Sequence, residues 1–416
     1  MTGPLWDALP DEWLAGQVKN AATVVLGKML QGKDSGSDMR APYMRAANVQ
    51  PNGMLALDDV NEMWFGDAEL EQLSIRAGDV VVVEGGQGGF GRAAYIDEDL
   101  IGWGFQNSIN RLRPIDNSDG RFIAFYLIAL RASGFIRAYC NVVSMPHLTA
   151  EKLARIPMPL PSQEEQRAIA DFLDRETARI DALIGEQQRL IEMLCERRAA
   201  IISQETGWGA SRPTNWPMMR LSWLFQATGS GTTPANNDIA YGKGADIPWV
   251  TTGELRESLI LGTARGVSSE ILRRYTALKI HPAGSLLIAM YGATIGRMAL
   301  LGVDATSNQA CCALIGPTGA DPEFVQYSLM AAKSWLLLEA AGGGQPNINQ
   351  DKIRSFRIPA PDLDEQRRIV ACLNEKTAKI DALIAETKRF VELARERRVA
   401  LIAAAVTGQI DVREMV

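Results

Sequence analysis

The stretch Glu165 to Thr206 is written a second time as Glu365 to Thr407. Glu165-Gln166-Arg167 recurs as Glu365-Gln366-Arg367, and Arg179-Ile180-Asp181-Ala182-Leu183-Ile184 as Lys379-Ile380-Asp381-Ala382-Leu383-Ile384. Glu196-Arg197-Arg198 then returns as Glu396-Arg397-Arg398 at the same offset. Solenoid repeats run about 20–50 residues, so a period this long means that whole domains were duplicated.

Fainter echoes precede each copy. Pro10-Asp11-Glu12-Trp13 answers to Pro213-Thr214-Asn215-Trp216, Ala77-Gly78-Asp79 to Ala283-Gly284-Ser285, and Gly91-Arg92 to Gly296-Arg297. Both halves reach an Ile-Pro-x-Pro turn, at Ile156 to Pro159 and Ile358 to Pro361. The order is globular domain, helix, globular domain, helix. With 416 residues and 47% apolar content, each half is large enough to fold around its own core.

Ile169, Leu173, Ile180, Leu183, Leu190, Leu194 and Ile201 follow steps of three and four, a heptad seam widened by Phe172, Ile184, Ile191 and Ile202. The copy carries Ile369, Leu373, Ile380, Leu383, Phe390, Ala394 and Leu401, with Ile384 and Val391. No proline interrupts either run, and a Pro-rich turn before and a glycine after punctuate the ends. About 40 residues at ~1.5 Å each make a rod of roughly 60 Å. The first rod is net acidic and the second net basic, which favours pairing with each other over self-pairing. The expected fold is therefore mixed α+β: two similar globular α/β domains joined by two long α-helices in an antiparallel coiled coil, with a pseudo-twofold internal duplication.

No apolar run approaches a membrane span, and the first residues, with Asp7, Asp11 and Glu12, lack a basic signal-peptide start. The expectation is a cytoplasmic chain with no membrane partner. The five cysteines form no C-x-x-C pair, which argues for reduced thiols. A net charge of −6 does not by itself suggest a nucleic-acid partner.

The paired motifs carry a resemblance. The Ile-Pro-x-Pro turn, the Glu-Gln-Arg helix start, the Ile-Asp-Ala-Leu-Ile segment and the Glu-Arg-Arg helix end, each present twice, resemble the specificity subunits of type I restriction-modification systems over essentially the whole chain. The Pro-x-x-Trp openings and the glycine-apolar-Gly-Arg runs add to it. The resemblance implies target-recognition domains at residues 1–160 and 208–361, conserved spacer helices at 161–207 and 362–408, and a C-terminal tail at 409–416. It further implies that each domain reads one half of a split sequence in double-stranded DNA, while the helices set the gap and dock methyltransferase subunits. Catalysis would belong to those methyltransferase and to restriction/translocase subunits, which would hold S-adenosylmethionine, ATP and Mg.

The residues allow an independent check on catalysis. Gly86-Gln87-Gly88-Gly89-Phe90-Gly91 fits a dinucleotide fingerprint, but a second strand, not a helix, should follow it, so a glycine-rich hairpin is the better account. The chain has no Asn/Asp-Pro-Pro-aromatic motif of the kind expected in an amino-methyltransferase. With only His147 and His281 present, no metal site is expected. Two alternatives stand beside a DNA reader: a coiled-coil adaptor whose duplicated domains bind proteins, and a self-contained methyltransferase.

Base edges are read by Arg, Lys, Asn and Gln, with Ser, Thr and backbone amides on phosphates. In the first half the candidates are Lys28, Lys33, Arg45, Asn48, Gln87, Arg92, Gln106, Asn107 and Ser108. In the second they are Thr232, Thr233, Thr251, Thr252, Tyr291, Thr294, Arg297, Asn308, Gln309, Asn347 and Asn349. Gln166, Arg167, Gln366 and Arg367, polar and repeated at the helix starts, are candidates for partner contact, with helix capping by Ser162 as the alternative.

Overall fold

A computed structural model of the chain describes residues 3–86, 88–115, 117–140, 147–209, 212–241, 246–338 and 347–415. The fold is mixed α and β, and it divides into two compact units: Met1–Gln188 with Arg389–Val416, and Arg189–Lys388. Both long helices, Gln163–Glu205 and Leu363–Val406, contribute to each unit. No helix among the described residues is long and apolar enough to cross a membrane.

The first unit is built on a four-stranded antiparallel sheet in the order Ala22–Leu26, Ile109–Pro114, Val80–Val83, Ala93–Tyr95. Successive strand residues face opposite ways, and Val80–Val83 is buried throughout. Val80 and Val82 enter a core shared with helix Gly120–Ala132, while Val81 and Val83 enter another beneath a three-stranded sheet. In that smaller sheet Met39–Met44 lies between Asn61–Phe65, antiparallel, and Gly104–Phe105, parallel. The glycine-rich segment after Val83 is a hairpin: Val80–Val83 pairs antiparallel with Ala93–Tyr95, and Gly86, Gly88 and Gly91 hold positive φ. A dinucleotide loop would have led into a helix.

The second unit repeats this plan. Leu286–Ala289 is central in a five-stranded sheet, with Leu286 and Ile288 facing one core and Leu287 and Ala289 another. Ile247–Val250 pairs parallel with Thr306–Ser307, as Met39–Met44 does with Gly104–Phe105. Asp119 and Asp321 cap equivalent helices, accepting from Arg121 N at 2.8 Å and from Glu323 N at 2.9 Å.

Within each unit the two long-helix segments run antiparallel. In the first, Ile180 and Ile184 pack with Val391 and Ala394, and Arg398 Nε meets Asp181 at 3.0 Å. In the second, Arg198 Nε meets Asp381 Oδ1 at 2.8 Å, while Ile202 packs with Ile369 and Leu373. The seam departs from the heptad reading. Thr177, Ile184, Thr377, Thr387 and Val391 are buried, whereas Leu183, Phe390 and Leu383 are 37%, 43% and 50% exposed. The threonine hydroxyls make this possible, because Thr377 and Thr387 donate at 2.8 Å to the carbonyls one turn back, at Leu373 and Leu383.

Gln166 and Gln366 correct the reading of the helix starts. Both are buried. The Gln166 amide donates to Pro161 O at 2.9 Å and accepts from Asp119 N at 2.9 Å; Gln366 does the same with Pro361 O at 2.8 Å and Asp321 N at 2.8 Å. Each glutamine therefore locks a long helix to the capped helix of its own unit, buried and bonded internally. Capping lies with Ser162, whose Oγ accepts from Glu165 N, and with Asp362, which accepts from Glu365 N. Arg167 and Arg367 remain exposed.

Candidate nucleic-acid interface

In each unit the parallel strand pair delivers its following residues to one edge. In the first unit Gln106 N donates to Met44 O at 2.9 Å, Asn107 N to Lys28 O at 2.7 Å, and Ala46 N to Ser108 Oγ at 3.3 Å. Lys28, Arg45 and Gln106 to Ser108, distant in sequence, are thereby brought together. In the second unit Asn308 N donates to Val250 O at 2.9 Å, Thr233 Oγ1 to Gln309 Oε1 at 2.6 Å, and Trp249 Nε1 to Thr232 O at 3.1 Å. This collects Thr232, Thr233, Thr251, Thr252, Asn308 and Gln309. Gly27 and Gly231 permit the approach: a Cβ at either would collide with a backbone carbonyl, of Gln106 or of Ser307.

The polar edge is differently committed in the two units. Asn48 is buried, accepting from Arg45 N at 2.9 Å and donating to Ala56 O at 2.8 Å, so it shapes the turn and is unavailable to a base. Lys28 pairs with Glu69 and sits over the Phe65 ring; Arg45 pairs with Asp59. Arg92 Nη1 donates to Val49 O at 3.2 Å, tying the hairpin to the same turn and making this arginine structural. Its counterpart Arg297 is exposed, as is Lys33. The bases of the first unit that reach this edge are thus largely balanced by carboxylates or bound to backbone.

A second group lies at the hairpin turn of the second unit, where Tyr291 bridges Asn347 and Arg297 N donates to Thr294 O. Asn349 caps helix Gln350–Ser355, its Oδ1 accepting from Lys352 N at 2.9 Å. Gln87 lies outside the described residues.

Two residues outside the repeat-derived candidates join the edge of the second unit. Arg265 stacks over the Trp249 ring at 5.3 Å and donates to Thr251 Oγ1 at 2.8 Å, fixing the orientation of that hydroxyl. His281 is buried, with Nε2 3.1 Å from Ser307 Oγ directly before Asn308. Its proline neighbour gave no hint of this; an isolated histidine leading into an apolar strand was the available signal.

Burial holds the His281 imidazole below its ordinary value of 6.5. The unfolded chain therefore binds more protons than the folded one in the window just below pH 6.5. This contribution to stability is complete above about pH 6.5 and declines as the pH falls toward the depressed folded value. His281→Asn should flatten the fall in thermal midpoint between neutral pH and pH 5; an unchanged slope would remove His281 as its source.

Burial also pushes the Cys311 and Cys312 thiols up to about 12, so both stay protonated and inert as nucleophiles at neutral pH. Among the described residues no cluster of three His, Cys, Asp or Glu is arranged to hold a metal ion.

Residues 10–193 and 213–392 each match the family described as type I restriction modification DNA specificity domain. The EcoR124I/EcoR124II specificity subunit of Escherichia coli is 26% identical over 58% of this chain and 60% of its own length. The MjaVIII specificity subunit of Methanocaldococcus jannaschii is 23% identical over 70% of each. Among solved structures, a chain from a type I R-M system superimposes with a TM-score of 0.73 at 16% identity, covering 97% of this chain and 100% of that one. The HsdS subunit from Thermoanaerobacter tengcongensis superimposes with a TM-score of 0.53 at 17% identity, covering 97% and 98%. With both halves of the sequence accounted for by one domain type and the fold shared over nearly its full length, the chain belongs to the type I restriction-modification DNA specificity family.

Proposed function

We propose that this chain is a non-catalytic, cytoplasmic reader of bipartite double-stranded DNA, each recognition unit contacting one half-site through its polar edge. The observation that carries this reading is the duplicated assembly of three separate segments into one edge per unit, centred on Gln106 to Ser108 and on Asn308 and Gln309. Modification subunits supply methyl transfer from S-adenosylmethionine, and restriction/translocase subunits supply ATP- and Mg-dependent cleavage. The long helices set the gap between half-sites and dock the modification subunits. With Gln166 and Gln366 internal, the docking surface falls to exposed apolar side chains, Phe390 and Leu393 in the first unit and Met193 and Leu383 in the second, with Arg167 and Arg367 at the helix starts. The test is modified-base sequencing of the host genome with and without this gene. Loss of one split methylated motif is the expected result, and an unchanged methylome would defeat the reading.

The charge pairing at the first edge leads to a further expectation. Phosphate contacts dominate DNA affinity, yet Lys28 and Arg45 are already paired with Glu69 and Asp59. The isolated chain should bind its target weakly, and tight binding should require the modification subunits. Nanomolar, sequence-specific binding by the chain alone in a gel-shift titration would contradict this.

A further inference from the structure

Beside the first polar edge the chain exposes what solvent should disfavour. Met29 is 75% exposed and Leu30 60%, directly after Lys28, whose backbone joins the edge through Phe105 O and Asn107 N. Met39 is also exposed, and it stands opposite Phe65, the ring beneath the Lys28 ammonium. The segment is not loose: Gln31 O accepts from Trp64 N at 3.2 Å, and Gln31 Nε2 donates to Asp38 Oδ2 at 2.6 Å, fixing the chain just beyond Leu30.

The duplication shows what occupies this position in the other unit. Gly27 and Gly231 are pressed against equivalent strand ends, so Lys28, Met29 and Leu30 correspond to Thr232, Thr233 and Pro234. Where the second unit presents the Thr233 hydroxyl bonded to Gln309, the first presents the Met29 thioether, and Leu30 stands where the second has Pro234; neither Met29 nor Leu30 offers a hydrogen-bond donor. The apolar feature on a base edge in the major groove is the thymine methyl.

We propose that Met29 and Leu30 read the first half-site by apolar contact with a thymine 5-methyl group, while Thr233, at the position matching Met29, reads by hydrogen bonding. This rests on the chain being a DNA reader. A protein-docking patch is the competing occupant. The position favours DNA: the pair sits at the reading edge, Met29 at the register where the second unit carries Thr233, and Gln31, Lys33 and Ser35 follow it in place of a continuous apolar face.

The test uses the full chain assembled with its modification subunits, once the methylated motif is known. Each thymine of the first half-site is replaced in turn by uracil, which removes only the methyl, and methylation rates are compared. Wild type should lose about fourfold at one thymine or more, the value of one buried methyl group. The double variant Met29→Ala with Leu30→Ala should be slower by roughly tenfold on the thymine duplex and indifferent to uracil. The exchanged variant, Met29→Leu with Leu30→Met, should retain discrimination. A first half-site without an A·T pair, or equal thymine preference in wild type and alanine variant, overturns the proposal. Reduced co-purification of the alanine variant with modification subunits also overturns it, in favour of a protein partner. Absence of any split motif with the wild-type complex instead sinks the DNA-reading function itself, and the proposal with it.

Discussion

Replacing Gln366 with leucine is expected to destabilise the second unit by about 2–4 kcal/mol, because two backbone groups held by short bonds lose their partner at once, together with a longer bond to Gly319 O at 3.3 Å. The Asp321 amide and the Pro361 carbonyl both bond to this one side chain. An aliphatic replacement of similar size keeps the packing but satisfies neither group, so the cost comes from desolvated polar atoms and not from a cavity. Gln166→Leu should act in the same direction on the first unit through the Asp119 amide and the Pro161 carbonyl. Urea unfolding read separately for each unit by hydrogen exchange is the measurement. A loss below about 1 kcal/mol at both sites would mean that water or backbone rearrangement replaces the glutamine, and that it does not act as a lock.

Lengthening both long helices by four residues each should widen the gap in the recognised motif while leaving the two half-site sequences unaltered. Four residues add about 6 Å of helix, close to two base pairs of duplex at ~3.4 Å per pair. The insertion also exceeds one turn by about 40°, so some loss of methylation rate is expected from the altered phase. Modified-base sequencing reads the outcome directly. A motif with its original gap would show that the helices do not measure the spacing, whatever else they do.

The duplication, the two helices and the glycine-rich hairpin were legible in the sequence because local chemistry encodes them. Unbroken apolar periodicity between a Pro-rich turn and a glycine fixes a helix wherever it later packs. The sequence of Gly86 to Gly91, followed by Ala93 to Tyr95, needs only its own positive-φ positions to turn back as a hairpin. The seam was harder to place. Leu183 and Ile184 are both apolar neighbours, and hydropathy cannot say which faces the other helix; the structure buries Ile184 and exposes Leu183. Burying Thr177, Thr377 and Thr387 runs against their polarity and is possible only once hydroxyls bond within the helix, as Thr377 and Thr387 do.

The sequence alone determined that this chain carries one domain type twice, each followed by a long helix, because repeated identities and periodic apolar positions survive without knowledge of any contact. Tertiary structure decided which polar residues are free. Asn48, Gln166 and Gln366 look like surface chemistry in sequence, but each is itself buried and bonded to a backbone carbonyl of its own unit. Arg265 and His281, unrepeated and inconspicuous, gain their roles only from the strands that bring Thr251 and Ser307 beside them. A side chain's polarity is a property of its type, whereas its availability depends on every neighbour that folding supplies.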